Sequence, residues 1–383
     1  MLQIRCKNNQ TTKSFPEGVT LLEVLAGFPE LEFKYEVLCA KVNNTVQGLK
    51  FRLYQNRDVE FLDITSQDAR RVYVRSLCFV LYKATCDVFP GSKLFFEHPI
   101  SRGYYCNFYK EDGSPICKAD VKKLWNRMEE IIRLDMPFRR NEAPIEEAVR
   151  IFRERGFSDK VKLLETSGRI YCDYYTLGDT VDYYYGPLLP SVGYLKVWGL
   201  VKYHDGLLLQ VPDRKQPGQL AEYVEQPKAF EAFSENVKWN IIMRLNNVGD
   251  VNKTCLKGYA SQLIQVSEAL QEKKIVQIAE EINTRYHDQQ NPVRVVLITG
   301  PSSSGKTTLC KRLSIQLLAC GLQPMSFSTD DYFVNRVDTP KLPNGQYDFD
   351  NIEAVDRCAM ERDLKLLLEG KEVLMPEYNF KTG

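Results

Sequence analysis

Eight residues carry the clearest chemistry in this chain. Gly300-Pro301-Ser302-Ser303-Ser304-Gly305-Lys306-Thr307 fits G-x-x-x-x-G-K-[ST] at every fixed position. Glycines at both ends let the backbone wrap closely round a polyphosphate. The loop amides and the N-terminus of a following helix then turn partial positive charge toward it. Lys306 adds a point charge for the terminal phosphates, and the Thr307 hydroxyl is a ligand for Mg²⁺. The expected cradle for ATP is therefore Gly300, Ser302, Ser303, Ser304, Gly305, Lys306, Thr307 and Thr308. The motif establishes triphosphate binding. Whether the phosphoryl group is hydrolysed or transferred must be read elsewhere.

Such a loop needs a strand before it and a helix after it. Val293–Thr299 is a β-branched run of strand length, and Thr308–Cys320 places Leu309, Leu313 and Leu317 on one helical face before Gly321. Pro324–Ser328 reads as a second strand, ending at Thr329-Asp330-Asp331-Tyr332-Phe333. In open α/β sheets the carboxyl ends of strands line the ligand crevice. Asp330 is thus expected near the phosphates, where a carboxylate can accept a substrate hydroxyl proton or hold Mg²⁺ through water. Tyr347-Asp348-Phe349-Asp350 precedes an expected helix over Ile352–Glu369, and Asp350 with Glu353 also reads as a capping box. Glu372–Phe380 reads as a strand entering a loop.

Gly300–Thr308, Ser328-Thr329-Asp330 with its two following aromatics, Tyr347–Asp350 and Pro376-Glu377-Tyr378-Asn379-Phe380 together resemble the uridine kinase and phosphoribulokinase group. The resemblance implies ATP-dependent phosphorylation of a nucleoside 5′-hydroxyl, of uridine or cytidine type, with Asp330 as the base. It puts Phe333, Phe349, Asp350 and Tyr378 around the nucleoside, and Thr307 and Asp330 on Mg²⁺. Two departures stand out. The family's histidine five residues after the tyrosine is replaced by Gly383, the last residue, and the family's Mg²⁺ carboxylate and arginine-bearing lid lie beyond it. We therefore expect a truncated chain whose own turnover is poor or absent, since arginines of that kind contribute on the order of 10³–10⁵ in rate.

The rest of the chain is built from other modules. At 383 residues it should hold two to four domains. With 51 basic and 50 acidic residues, no global field favours nucleic acid or an anionic membrane. No apolar run reaches the roughly 18–20 residues of a membrane span, and the N-terminus is not a signal peptide. Eleven unpatterned cysteines fit reduced thiols in a cytoplasmic protein, and His98, His204 and His287 are too scattered for a histidine metal site.

Residues 1–63 read as a β-rich unit with a hairpin at Asn8-Asn9 and a capping box at Thr20 and Glu23. Phe15–Thr20 and Ala40–Asn43 make it resemble the TGS β-grasp module of threonyl-tRNA synthetases. Residues 64–215 read as α+β, with helices near 68–84, 118–134 and 145–155. The segment order and Tyr185–Pro190 resemble the second additional domain of threonyl- and alanyl-tRNA synthetases. Where those enzymes carry H-x-x-x-H and C-x-x-x-H, this chain shows Arg75, Phe79, Tyr184 and Leu188, so a metal-dependent editing reaction is not expected. Tyr171, Tyr174, Tyr175, Tyr183, Tyr184 and Tyr185 could stack on bases, but aromatic packing is the simpler reading. Arg139-Arg140 and Lys122-Lys123 read as solvated faces rather than phosphate contacts. Residues 216–291 read as a helical connection with two apolar stripes, Tyr259, Leu263, Val266 and Leu270, then Ile275, Ile278, Ala279 and Ile282, and residues 292–383 as the N-terminal part of a P-loop kinase domain.

The expectation is an α/β multidomain chain: a TGS-like β-grasp, an α+β synthetase-like domain, a helical connection and an incomplete parallel-sheet P-loop domain. The leading function is nucleoside phosphorylation with ATP and Mg²⁺. The alternative is an RNA- or nucleotide-sensing regulator that uses the loop as a switch and contacts RNA through its N-terminal modules.

Overall fold

The structure, a computed structural model, describes every residue from Met1 to Gly383 except Ser302. The chain divides into two compact units, Met1–Ala260 and Ser261–Gly383.

The first unit opens with β1 (Leu2–Cys6), β2 (Thr11–Phe15), β3 (Val19–Thr20), α1 (Leu21–Ala26), β4 (Val37–Val42), β5 (Thr45–Gly48), β6 (Arg52–Leu53) and β7 (Arg57–Asp63). Five strands form one sheet in the order β2-β1-β7-β4-β5, with β1 and β7 parallel and the other pairs antiparallel. Leu2, Ile4 and Cys6 alternate inward along β1, as period-two patterning requires. They pack with Leu21 and Val24 of α1. The expected capping box is present: the Glu23 N–H donates to Thr20 Oγ1 at 3.3 Å, and the Thr20 N–H donates to Glu23 Oε2 at 2.8 Å.

Next come α2 (Gln67–Val88), β8 (Lys93–Ile100), β9 (Gly103–Tyr109), α3 (Lys118–Arg133), β10 (Arg139–Pro144), α4 (Ile145–Glu154), α5 (Ser158–Glu165), β11 (Tyr171–Leu177), β12 (Thr180–Asp182), β13 (Gly199–Tyr203) and β14 (Gly206–Gln210). They make a three-stranded sheet, β10-β11-β12, and a four-stranded sheet, β13-β14-β9-β8. Leu207, Leu208 and Leu209 are all buried because both faces of the larger sheet are covered. One face meets α2 and α3. On the other, Phe230 and Phe233 of α6 (Pro227–Ile242) are seated. His98 stacks on Phe233 at 3.8 Å and His204 on Phe230 at 3.9 Å between ring centroids, so these two histidines serve as aromatic plates. α7 (Val248–Leu256) packs on α5 and is tied there by Lys162 and Asp250, 2.7 Å apart.

Lys110, just past β9, and Asp120, in the first turn of α3, make an acid-sensitive tie. Lys110 Nζ lies 2.6 Å from Asp120 Oδ2, which also accepts the Cys117 N–H at 3.0 Å. Burial pushes the Asp120 carboxyl up, but the lysine and the Cys117 donors outweigh it and hold it at about 2. A carboxylate depressed on folding stabilises the fold above its unfolded value and loses that contribution as pH falls through its folded value. The midpoint of urea unfolding should therefore fall between about pH 4 and pH 2 in the wild type. Asp120→Asn should be less stable at neutral pH and lose that increment of acid sensitivity.

The second unit holds α8 (from Ala260–Tyr286), α9 (Lys306–Ala319) and α10 (Arg357–Leu368). Ile275 and Ala279 of α8 pack against Leu313 and Leu317 of α9, so the second apolar stripe is a packing face. Tyr259 and Val266 of the first stripe stay exposed. The expected parallel sheet is not formed: among the described residues, 293–299, 324–328 and 372–380 make no strand ladder. Val295, Val296 and Leu297 are 41%, 44% and 87% exposed. β-branched runs specify an extended backbone, whereas a ladder also needs neighbours in register, which no local pattern supplies. The helix expected over 352–369 also breaks. Asn351 caps a 3₁₀ turn at Ile352–Ala354 by accepting the Glu353 N–H at 3.0 Å, and Asp356 caps α10 by accepting the Ala359 N–H at 3.0 Å.

Candidate functional site

The glycine loop turns directly into α9. Gly305 adopts φ +86° as the residue before the helix, and Ser303 sits at φ 59°. A Cβ on Gly300 would stand 2.8 Å from Ser304 Oγ, so a side chain there would fill the cradle. Ser302 lies outside the described residues. Ser303, Ser304, Gly305, Thr307 and Thr308 are exposed, leaving their polar groups open to a ligand. Lys306 folds across its own loop, and its ammonium donates to the carbonyls of Gly300 at 2.8 Å and Pro301 at 2.9 Å. Among the described residues, no three His, Cys, Asp or Glu side chains converge to hold a metal. The groups present suit an Mg²⁺ held by a hydroxyl, substrate phosphates and water rather than by a protein cage.

The segment leading to Asp330 runs beside α9. Cys310, one turn beyond Lys306, has its Sγ 3.6 Å from Ser326 Oγ. Ser328 Oγ then accepts the Asp330 N–H at 3.3 Å, starting a 3₁₀ turn over Thr329–Tyr332. The Asp330 side chain is exposed, and its carboxylate has no hydrogen bond or ion pair among the described residues. The two aromatics after the acids part company. Tyr332 turns inward and donates to Asp363 Oδ2 on α10 at 3.1 Å; burial, then this carboxylate, pushes its phenol up to about 12. Phe333 turns the other way, into a second aromatic group.

That group joins three segments far apart in sequence. Phe333 lies 5.7 Å from Phe349, 5.4 Å from Tyr378 and 6.1 Å from Phe380, centroid to centroid. Tyr378 and Phe380 are 5.0 Å apart, and Tyr347 and Phe349 are 6.1 Å apart. The three aromatic residues expected round a nucleoside are thus brought together, with Tyr347 and Phe380 added. Tyr378 Oη is buried without a hydrogen-bond partner among the described residues. A hydroxyl left in that state costs about 1–3 kcal/mol unless something supplies a partner. Asp350 is exposed next to Phe349, and because Asn351 and Asp356 do the capping, its carboxylate stays unpaired among the described residues. Two main-chain bonds weld the acid loop to the helix entry: the Val334 N–H to Ala354 O at 2.9 Å, and the Asp356 N–H to Tyr332 O at 2.8 Å.

In the first unit, Arg75, Phe79, Tyr184 and Leu188, the positions expected to stand where a metal set would be, lie close together. Phe79 lies 5.3 Å from Tyr184, and Arg75 donates to Pro187 O at 3.2 and 3.1 Å through Nε and Nη2, next to Leu188. A guanidinium and packed rings cannot ligate Zn²⁺. A cavity of about 280 Å³ lies alongside, lined by Gly48, Lys50, Arg140, Tyr175 and Pro187. Arg140 is committed to Asp173 through two hydrogen bonds at 3.1 and 2.8 Å. Of the tyrosines, Tyr175 is buried, whereas Tyr171 and Tyr185 remain exposed.

Comparison with known proteins follows the same division. Residues 295–383 match the family model described as Phosphoribulokinase / Uridine kinase family. The N-terminal half is similar to threonine–tRNA ligases. That of Carboxydothermus hydrogenoformans is 30% identical over 203 residues, 52% of this chain and 31% of that protein. That of Syntrophomonas wolfei subsp. wolfei is 32% identical over 197 residues, 51% of this chain and 30% of that protein. The chain spans less than a third of the length of these relatives. No described helix is long and apolar enough to cross a membrane.

Proposed function

We propose that the second unit phosphorylates the 5′-hydroxyl of a nucleoside, of uridine or cytidine type, with ATP as donor. The observation that carries this reading is the convergence of Phe333, Phe349 and Tyr378, from three separate segments, in the unit that holds the glycine loop. A triphosphate switch has no need of such a ring cluster, nor of the unpaired Asp330 and Asp350 near it in sequence. The rings would take the base by stacking, and the orphan Tyr378 hydroxyl would find a partner on it. Asp350 would accept from the ribose hydroxyls.

In the reaction the 5′-oxygen attacks the γ-phosphorus, the bond to the β–γ bridging oxygen breaks, and ADP leaves. Asp330 takes the proton lost by the hydroxyl. The transferring group carries its charge on its outer oxygens, where Lys306 and the loop amides offset it. The Thr307 hydroxyl would hold Mg²⁺, which when bound would supply further charge neutralisation to the phosphates.

Single-turnover assays with the chain in excess over labelled ATP, and uridine or cytidine as acceptor, test this directly. Label should appear on the nucleoside and depend on its presence. The likeness of the N-terminal half to threonine–tRNA ligases favours a second reading, an RNA- or nucleotide-sensing regulator. No binding of uridine or cytidine and no transfer to either, together with tight RNA binding, would favour that one instead.

A further inference from the structure

Arg336 has no place in any motif of the chain, yet it ties two walls of the aromatic group together. It lies three residues beyond Phe333. Its Nη2 donates to Phe380 O at 2.6 Å, and its Nη1 reaches Lys381 O at 3.5 Å. Its own N–H donates to the main-chain oxygen of Gly383 at 2.9 Å. Gly383 comes so close that a Cβ there would lie 2.6 Å from Arg336 Cβ. The segment it grips is otherwise held by local bonds: Asn379 Oδ1 accepts the Lys381 N–H at 2.9 Å and the Thr382 N–H at 3.2 Å, and the Gly383 N–H donates to Asn379 O at 2.7 Å. These bonds shape the turn but do not fasten it to anything. Residues 371–377 make no ladder with a neighbour, and Leu374 is 97% exposed. Among the described residues, and apart from the rings themselves, the hydrogen bonds that tie the Tyr378–Gly383 turn to the rest of the unit come from the Arg336 side chain and its N–H.

We infer that Arg336 is the positioning residue of the nucleoside wall: its guanidinium holds the Tyr378–Phe380 turn in the place where the rings face Phe333. Arginine suits the task because its planar fork reaches two successive carbonyls at once. The inference rests on the nucleoside reading above for its ligand, but the clamp itself is a property of the chain alone.

Two measurements on the full chain separate the two ideas. In hydrogen exchange without ligand, Arg336→Ala should increase exchange across 378–383 by about tenfold while α9 and α10 keep wild-type protection, because a charge-assisted bond has been removed from an otherwise weakly fastened turn. Arg336→Lys, whose ammonium reaches one carbonyl but not both, should fall between. In calorimetric titrations with uridine and, separately, ATP, Arg336→Ala should weaken uridine binding about tenfold and leave ATP binding within about twofold. Unchanged exchange in 378–383 overturns the clamp whatever binds. Increased exchange with uridine affinity unchanged overturns its role as a positioning residue. A wild-type chain that binds no nucleoside, but shows the exchange effect, sinks the nucleoside reading and leaves the clamp standing. An equal loss of uridine and ATP affinity would mean a general loosening of the unit and would also overturn the assignment.

Discussion

Lys306→Ala should weaken ATP binding by about 10²–10³-fold without unfolding the chain. Hydrogen bonds to charged groups are worth about 1.5–3 kcal/mol each, and the lysine would offer them to two terminal phosphates in a loop with little competing positive charge. Little of the fold depends on it. Its two acceptors, the carbonyls of Gly300 and Pro301, belong to an exposed loop and would return to water. Titration with a fluorescent ATP analogue reads the loss, and thermal unfolding serves as the control. An affinity within threefold of wild type would mean that the loop does not grip phosphate through this side chain. Lys306→Arg is the informative companion: it keeps the charge but puts a broad planar group where the loop admits a narrow one, and should recover only part of the affinity.

Asp330→Asn should leave the binding of both substrates within about threefold and lower single-turnover phosphoryl transfer by about 10²–10⁴-fold, the usual span for a positioned general base. The substitution keeps the shape and removes the proton acceptor. It spares the local structure, because the 3₁₀ turn is held by Ser328 Oγ on the Asp330 N–H and by Tyr332 on Asp363, not by the Asp330 carboxylate. Asp331→Asn, on the neighbouring carboxylate, is the internal control and should change transfer less than threefold. A reversed outcome would move the base by one residue. A loss of ATP affinity in Asp330→Asn would instead assign that side chain to Mg²⁺.

Local chemistry made some of this legible in advance. Thr20 and Glu23 announce their helix start because capping is a contact between neighbours in sequence. Lys306 with its glycines announces itself because wrapping a phosphate demands those residue types in that order. The meeting of Phe333, Phe349 and Tyr378 could be anticipated only through a likeness to other sequences, since no periodicity links three loops. Arg336 was not legible at all: its partners are carbonyl oxygens, and any residue supplies those. Asp350 was ambiguous because acids cap helices as readily as they bind sugars; only the caps at Asn351 and Asp356 release it. The parallel sheet expected here has no ladder among the described residues, for the opposite reason. Val295, Val296 and Leu297 have every local mark of an interior strand, but pairing is decided by what lies alongside.

The short bridge joining Tyr332–Val334 to Ala354–Asp356 has a consequence for selectivity. Asp330, proposed as the proton acceptor, and Phe349-Asp350, proposed to face the sugar, lie on the two segments this bridge joins, so a displacement of one should be felt at the other. An acceptor molecule of the wrong outline, pressing on Phe349, would also tilt the acid out of line with the attacking oxygen. Discrimination would then register chiefly in the velocity of the chemical step, with occupancy changing little. Impostor nucleosides should behave as sluggish substrates rather than as weak binders.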